Sequence, residues 1–271
     1  MELVDMGLLD EYWESRGRQE YSYRGEIFYT VTPIPMYFER RSMLLGMMDT
    51  AIAGIKAERI CDFGCGDGYY MAHFSAKFPG KQWTGIDMSA SMIERARIGC
   101  PHAEFHVSND GIPTGKKFDL VYAIAVFAHI LDDKILDKLV NGIAEALRPG
   151  GHFILFEQTG AAASGSTWRR RPAEEYISLM SRNGLDLTNR SLIAFPMHRR
   201  FEKSILGWYR RYLCSGDDLN ARAIYSNRSL LFRSLSRLAL ILDGKRVRSD
   251  DGLIDGNTFY IFKRRSYVNS M

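Results

Sequence analysis

The 271-residue chain has no apolar run approaching the length of a membrane span. Its first residues, MELVDMGLLDEYWESRG, are acidic where a secretory leader is basic, and they lack a hydrophobic stretch. These absences predict a cytoplasmic protein. Cysteine is scarce: Cys61, Cys65, Cys100 and Cys214 form no CxxC pair and no zinc-type spacing with the six histidines. A disulfide scaffold and a zinc module are thereby excluded, and four reduced thiols are expected. No internal repeat and no low-complexity tract is present. Neither sign of charge dominates, with 36 Lys and Arg against 32 Asp and Glu. The basic residues nevertheless crowd into the second half, in WRRRP (168–172), HRRFEKSILGWYRRYL (198–213) and GKRVRS (244–249).

From about residue 57 apolar runs and helical spacings alternate. ERICDF (58–63), KQWTGID (81–87), AEFHVS (103–108), FDLVYAIAVF (118–127) and HFILFEQ (152–158) read as strands. YYMAHFSAKF (69–78) and SASMIERARI (89–98) read as helices, the second with Ser89 as N-cap. In DDKILDKLVNGIAEALRPGG, Ile135, Leu139, Ile143 and Leu147, with Leu136 and Val140, make one apolar helical face that Pro149-Gly150-Gly151 ends. EEYISLMSRNG (174–184) suits a further helix, DLTNRSLIAF (186–195) a sixth strand and NTFYIFKRR (257–265) a last one. Such alternation means a mostly parallel sheet covered on both faces, with ligands at the carboxyl ends of its strands.

One such end reads CDFGCGDGYY (61–70). A phosphate-binding P-loop needs Gly-Lys-Ser/Thr, which is missing here. A dinucleotide fingerprint needs its third glycine at position 69, where Tyr69 stands; the actual third glycine is Gly68. The NAD reading is weakened and stays open. A catalytic thiol at Cys65 would need a partner to lower its pKa, and none is visible.

Asp62, Gly64, Gly66 and Gly68 resemble, position for position, motif I of the class I S-adenosylmethionine-dependent methyltransferases. Asp87 in TGIDMS, nineteen residues past Gly68, is similar to the acid that ends the family's second strand. VSNDGIP (107–113), FDLVYAIAVFAHI (118–130) and LRPGGHFILF (147–156) follow in the family's order, so the resemblance covers roughly residues 57–160. It implies S-adenosyl-L-methionine as cofactor, Asp62 toward the ammonium of its amino-acid tail, and Asp87 on the ribose hydroxyls. Met88 would pack on adenine, and Asn109 or Asp110 would meet its amine. Cys65 and Ala123 complete the expected set in the core. An aromatic N-terminal segment (11–42) would fold over the cofactor as a lid, with Tyr21 and Arg24, then Tyr29 and Tyr37, as its contacts.

The resemblance also implies methyl transfer to an oxygen or nitrogen of a small molecule: a sugar, natural product or lipid-linked precursor. The (D/N/S)PP(Y/F) motif of amino-methylating DNA enzymes is absent, as is the Pro-Cys pair of ring-carbon methylation. No metal-binding cluster of acids can be assembled. An oxygen nucleophile profits from a general base, and the sheet's carboxyl edge offers His129, Asp132 and Glu157, with His129 first and Glu157 second. An RNA methyltransferase and a non-catalytic cofactor-binding module stay open as alternatives.

The expected fold is α/β: a Rossmann-like, doubly wound, mostly parallel seven-stranded sheet with an N-terminal lid and a C-terminal helical insertion. Its parts would be a lid and helix (1–56), a cofactor-binding core (57–196), a basic helical cap (197–256) and the last strand and tail (257–271). In the cap, Phe201, Ile205, Trp208 or Tyr209, and Tyr212 fall on one helical face; Ile224, Leu231, Leu235, Leu238 and Leu242 form a second stripe. Such a basic amphipathic pair suits a cap over the site, a homodimer surface, an anionic or lipid-linked substrate, or peripheral membrane contact. Nucleic acid is not the expected partner.

Overall fold

The computed structural model describes residues 11–15, 18, 32–216, 219–243, 247–248 and 256–266. The chain divides into two compact units. Met1–Gln19, Asp49–Leu192 and Ser249–Met271 form the first; Glu20–Met48 and Ile193–Arg248 form the second. Helix α1 (Ile34–Gly54) gives its residues up to Met48 to the second unit and those from Asp49 on to the first.

The first unit carries the sheet. Its strands longer than two residues are β1 (Arg59–Phe63), β2 (Gln82–Asp87), β3 (Glu104–Val107), β4 (Phe118–Ile124), β5 (Leu147–Thr159), β6 (Leu185–Ile193) and β7 (Gly256–Arg264). These seven stand in the order β3-β2-β1-β4-β5-β7-β6. β1 pairs in parallel with both β2 and β4, β4 in parallel with β5, and β7 runs antiparallel to β5. Strand order therefore reverses between β1 and β4, and the crevice outside their carboxyl ends is where such a sheet binds ligands.

Helices α2 (Tyr69–Lys77), α3 (Ala90–Gly99), α4 (Asp133–Ala146) and α5 (Ala173–Arg182) cover the sheet. On α4 the buried residues Leu136, Leu139, Val140 and Ile143 repeat at three- and four-residue steps, and they pack with Phe118, Val121, Ala123, Phe153 and Phe262. Ser89 caps α3 by accepting from the Met92 amide at 3.2 Å, and Asp132 caps α4 through the amides of Lys134 and Ile135. Both caps fix helix starts directly after strand ends or site loops.

Two strand boundaries differ from those read in the sequence. β4 stops at Ile124: the Ala125 amide still donates to the Phe156 carbonyl at 2.8 Å, but its φ of 56° turns the chain away beyond it. β5 starts at Leu147, ahead of Pro149-Gly150-Gly151. Phe118 pairs with Leu147 and Leu120 with His152, so one residue of β4 faces four of β5. The Pro-Gly-Gly turn is a bulge inside the strand, made possible by Gly150 at φ 77°.

The second unit is helical: the start of α1, then α6 (Pro196–Phe201), a π-helical turn (Glu202–Leu206), α7 (Gly207–Leu213), α8 (Leu219–Ser226) and α9 (Leu230–Asp243). Polar side chains tie it together. The Ile34 amide donates to Asn227 Oδ1 at 3.2 Å, and Asn227 Nδ2 donates to the Thr32 carbonyl at 3.0 Å. Asp243 accepts from the amides of Met197 and His198 at 2.8 and 2.6 Å, and His198 Nε2 meets Ser236 Oγ at 2.8 Å.

The sequence stripes do not form this unit's interior. Ile205, Trp208, Tyr212, Leu231, Leu238 and Leu242 are exposed, while Leu206, Phe232, Ser236, Ala239 and Asp243 are buried. Hydrogen bonds made by Asp243 and Ser236 to α6 hold α9 in this rotation. The side chain of Ile224 lies outside the described residues.

Candidate functional site

The glycine turn joins β1 to α2. Gly64, Gly66 and Gly68 have φ of 75°, 53° and 76°, a left-handed backbone that favours glycine at each. Their surroundings separate their roles. A Cβ on Gly64 would overlap the Val126 side chain, and one on Gly68 would lie 3.0 Å from Ala96 Cβ. A Cβ on Gly66 would meet nothing within 4 Å. Two glycines thus permit close packing against the β4 loop and α3, and the middle one faces open space.

Two acids flank this turn. Asp87, at the end of β2, accepts from the Gly66 amide at 2.8 Å and from the Ser89 amide at 3.0 Å. One carboxylate thereby fixes both the glycine turn and the start of α3, and each oxygen keeps lone pairs for a further donor. Burial raises its pKa, opposed by the amides of Ser89 and Gly66. Asp62 is buried in β1, with Tyr122 OH donating to it at 3.0 Å. Burial pushes its pKa up to about 8, the Tyr122 bond pulls the other way, and Asp87 and Asp67 add repulsion. A buried acid among acids is a place where a ligand cation is favoured.

The loop after β4 is gripped from two sides. Glu157, 1% exposed on β5, accepts from the Phe127 amide at 2.6 Å. Burial pushes its pKa up to about 7 against the pull of the amides of Phe127, Ala128 and Val126. Arg171, also 1% exposed, donates to the carbonyls of Phe127 at 3.1 Å and Ile130 at 2.8 Å, and pairs with Asp133 at 2.8 Å. Between these points, Phe127–His129 form a 3₁₀ turn. His129 Nδ1 lies 2.8 Å from the Thr167 carbonyl. A carbonyl can only accept, so Nδ1 carries the proton and Nε2 is the basic nitrogen.

The N-terminal segment crosses the same edge. Trp13 meets the His129 ring edge-on, with centroids 4.8 Å apart. Glu14 accepts from Ser89 Oγ at 2.8 Å and the Ser91 amide at 3.3 Å, and its carbonyl accepts from Ser91 Oγ at 3.2 Å. The Ser89 bond leads in holding the Glu14 carboxyl below its ordinary range. Residues 11–15 therefore reach from the head of α3 to the β4 loop.

Of the residues expected at the site, Asp62, Gly64, Cys65, Gly66, Gly68, Asp87 and Met88 gather at the ends of β1 and β2. Asn109 and Asp110 are exposed after β3, where Asp110 lies 3.7 Å from Lys138. Ala123 is fully buried within β4, opposite Leu155 of β5, and so does not reach the site as expected. Glu157 sits beneath the β4 loop, bonded to the Phe127 amide, instead of pairing with an arginine of the basic insertion. Asp132 is occupied as a helix cap. Tyr21, Arg24 and Tyr29 lie outside the described residues. The sequence reading missed Trp13, Glu14 and Arg171. Arg171 stands in WRRRP as one of several crowded basic residues; its one local signal is Glu175 four residues on, 3.2 Å away.

Known proteins match this arrangement. The model of a methyltransferase domain matches residues 38–189. The trans-aconitate 2-methyltransferase of Paracidovorax citrulli is 35% identical over 98 residues, covering 35% of this chain and 36% of that one. The fatty-acid O-methyltransferase of Mycolicibacterium smegmatis is 26% identical over 171 residues, 61% of this chain and 58% of that one. The chain thus matches only about a third to three-fifths of the length of these curated relatives. In fold it is similar to the O-methyltransferase of a trans-AT polyketide synthase of Brevibacillus brevis, solved with S-adenosyl-L-homocysteine. The TM-score is 0.59 at 15% identity, over 86% of this chain and 77% of that one. With more than half of its length matched by that domain model, the chain belongs to the methyltransferase domain family.

Proposed function

We propose that the protein methylates an oxygen or nitrogen of a small molecule, with small acids as the first acceptors to test. The observation that carries this reading is the enclosure of the carboxyl edge by residues 11–15, through Trp13 on His129 and Glu14 on Ser89 and Ser91. A site crossed in this way suits a small acceptor better than a folded nucleic acid. The names of two relatives, a trans-aconitate and a fatty-acid enzyme, support an acid.

S-adenosylmethionine supplies an electrophilic methyl on a sulfonium, so the protein's task is alignment and exclusion of water. In this reading Gly66 offers its open face to the amino-acid tail and Asp62 accepts from its ammonium. Asp87 accepts from the ribose hydroxyls while holding Gly66 and Ser89. Met88 lies along the adenine, with Asn109 and Asp110 at its edge. Nε2 of His129 takes the proton from a hydroxyl or amine acceptor, with Glu157 and Arg171 holding the loop that presents it.

Transfer from labelled S-adenosylmethionine to panels of small acids, alcohols and amines tests the reading. His129→Gln is expected to lower kcat on a hydroxyl or amine acceptor by about a hundredfold or more. On a carboxylate, which has no proton to lose, it is expected to act on KM. Transfer to RNA with none to any small molecule would overturn the proposal.

A further inference from the structure

Helix α9 is built inside out. Its buried positions are Phe232, Ser236, Ala239 and Asp243, and its exposed ones include Leu230, Leu231, Leu238, Ile241 and Leu242. Leu230 and Ile241 are 76% and 75% exposed. The rotation is fixed by Asp243 on the amides of Met197 and His198 and by Ser236 on His198. Turning the leucines inward would carry Asp243 and Ser236 away from α6 and strip the amides of Met197 and His198 of their acceptor. An apolar face of this kind, interrupted by the exposed Ser234, marks an interaction surface.

Charge indicates what covers it. Residues 193–243 contain nine Arg and Lys and four Asp and Glu. Of the acids, Asp243 is buried and Glu202 is paired with Arg210 at 2.8 Å. Arg233 and Arg237 lie along one border of the α9 face at helical spacing, and neither makes an ion pair among the described residues. A cleft of about 190 Å³ between α6 and α9 is lined by Met197, Phe201, Ala239 and Leu242 with Arg200 and Ser204. Apolar side chains edged by unpaired guanidinium groups, with a shallow apolar cleft beside them, match an interface of acyl chains under anionic headgroups.

We propose that the outward face of α9, with its bordering arginines, docks this protein on an anionic lipid surface. The inference is independent of the methyl acceptor. The test is co-sedimentation of the full chain with phosphatidylglycerol-rich and with pure phosphatidylcholine vesicles, over a range of salt. Binding is expected to the anionic vesicles only and to weaken as salt rises. The variant Leu238→Ser/Ile241→Ser/Leu242→Ser is expected to bind more than tenfold more weakly. Arg233→Gln/Arg237→Gln is expected to lose about fivefold per arginine. Because the latter alters only side chains at the solvent border, it keeps the test decisive if the serine variant melts early. Failure of the wild type to bind anionic vesicles at low salt would overturn the proposal. So would binding by both variants as tight as that of the wild type, or a concentration-dependent dimer that the serine variant dissociates, which would make a second copy the occupant.

Discussion

The sheet unit and the helical unit use apolar residues in opposite ways. In the first, α4 turns Leu136, Leu139, Val140 and Ile143 to the sheet, and its polar groups serve as caps at the ends. In the second, α9 turns Ser236 and Asp243 inward and leaves Leu230, Leu231, Leu238 and Leu242 outside. The first unit is held chiefly by burial, with hydrogen bonds refining the turns. In the second, side-chain hydrogen bonds decide which face of a helix is inside. Hydrophobic periodicity therefore reports packing in one unit and an outer surface in the other.

The largest expected effect tests whether a few buried polar contacts also matter in the sheet unit. Arg171→Met strips charged donors from the carbonyls of Phe127 and Ile130. At roughly 1–3 kcal/mol for each buried group left unsatisfied, it should destabilise by about 2–4 kcal/mol in urea unfolding. Affinity for S-adenosylhomocysteine should change little, because Arg171 touches the β4 loop and not the glycine turn.

Next comes a pair within the turn. Gly64→Ala combines overlap with Val126 and a left-handed φ, and should cost about 3 kcal/mol. Gly66→Ala faces open space and should cost only about 1 kcal/mol, yet weaken S-adenosylhomocysteine at least tenfold by calorimetry. Equal loss of stability in both would show that the middle glycine is also a packing glycine.

A pH series separates burial from pairing. Asp62 and Glu157 have folded pKa values raised to about 8 and about 7, above the ordinary carboxylate range. Between that range and about pH 8 the folded state binds more protons than the unfolded one. Stability of the ligand-free protein should thus fall as pH rises through this window. Asp62→Asn with Glu157→Gln should flatten the slope. If Asp62 meets the cofactor's ammonium, S-adenosylhomocysteine should bind more tightly as pH approaches 8 and release a proton. Calorimetry in buffers of different ionisation enthalpy detects that release.

The smallest effect is the sharpest for the comparison. Asp243→Ala removes a buried acceptor from two amides and should cost about 1–2 kcal/mol. Its neighbour Leu242→Ala should change stability by no more than about 0.5 kcal/mol. The reverse order would mean that α9 packs its leucines after all.

Much of the core was legible because local and tertiary preferences agree there. The apolar run of β1, the glycines after it and Asp87 at the end of β2 sit where the pattern put them, since a strand buried on both faces admits few polar residues. Boundaries failed where backbone geometry overrode composition: Ala125 leaves β4 despite its apolar neighbours, and Pro149-Gly150-Gly151 lies inside β5. Arg171 was illegible because its partners are carbonyls more than forty positions away. The partnership of the α1 region with Asn227 spans 193 positions and has no sequence signature.

By itself the sequence determined the alternating strands and helices, the glycine turn and its two acids, and with them the resemblance that implies the cofactor. Those features depend on short-range spacing, which a chain carries in its own order. The tertiary structure alone decided which glycine faces open space, what Glu157 and Arg171 hold, and which side of α9 is inside. Each of these depends on neighbours brought together by folding, because a buried polar atom must find its partner wherever the fold supplies one.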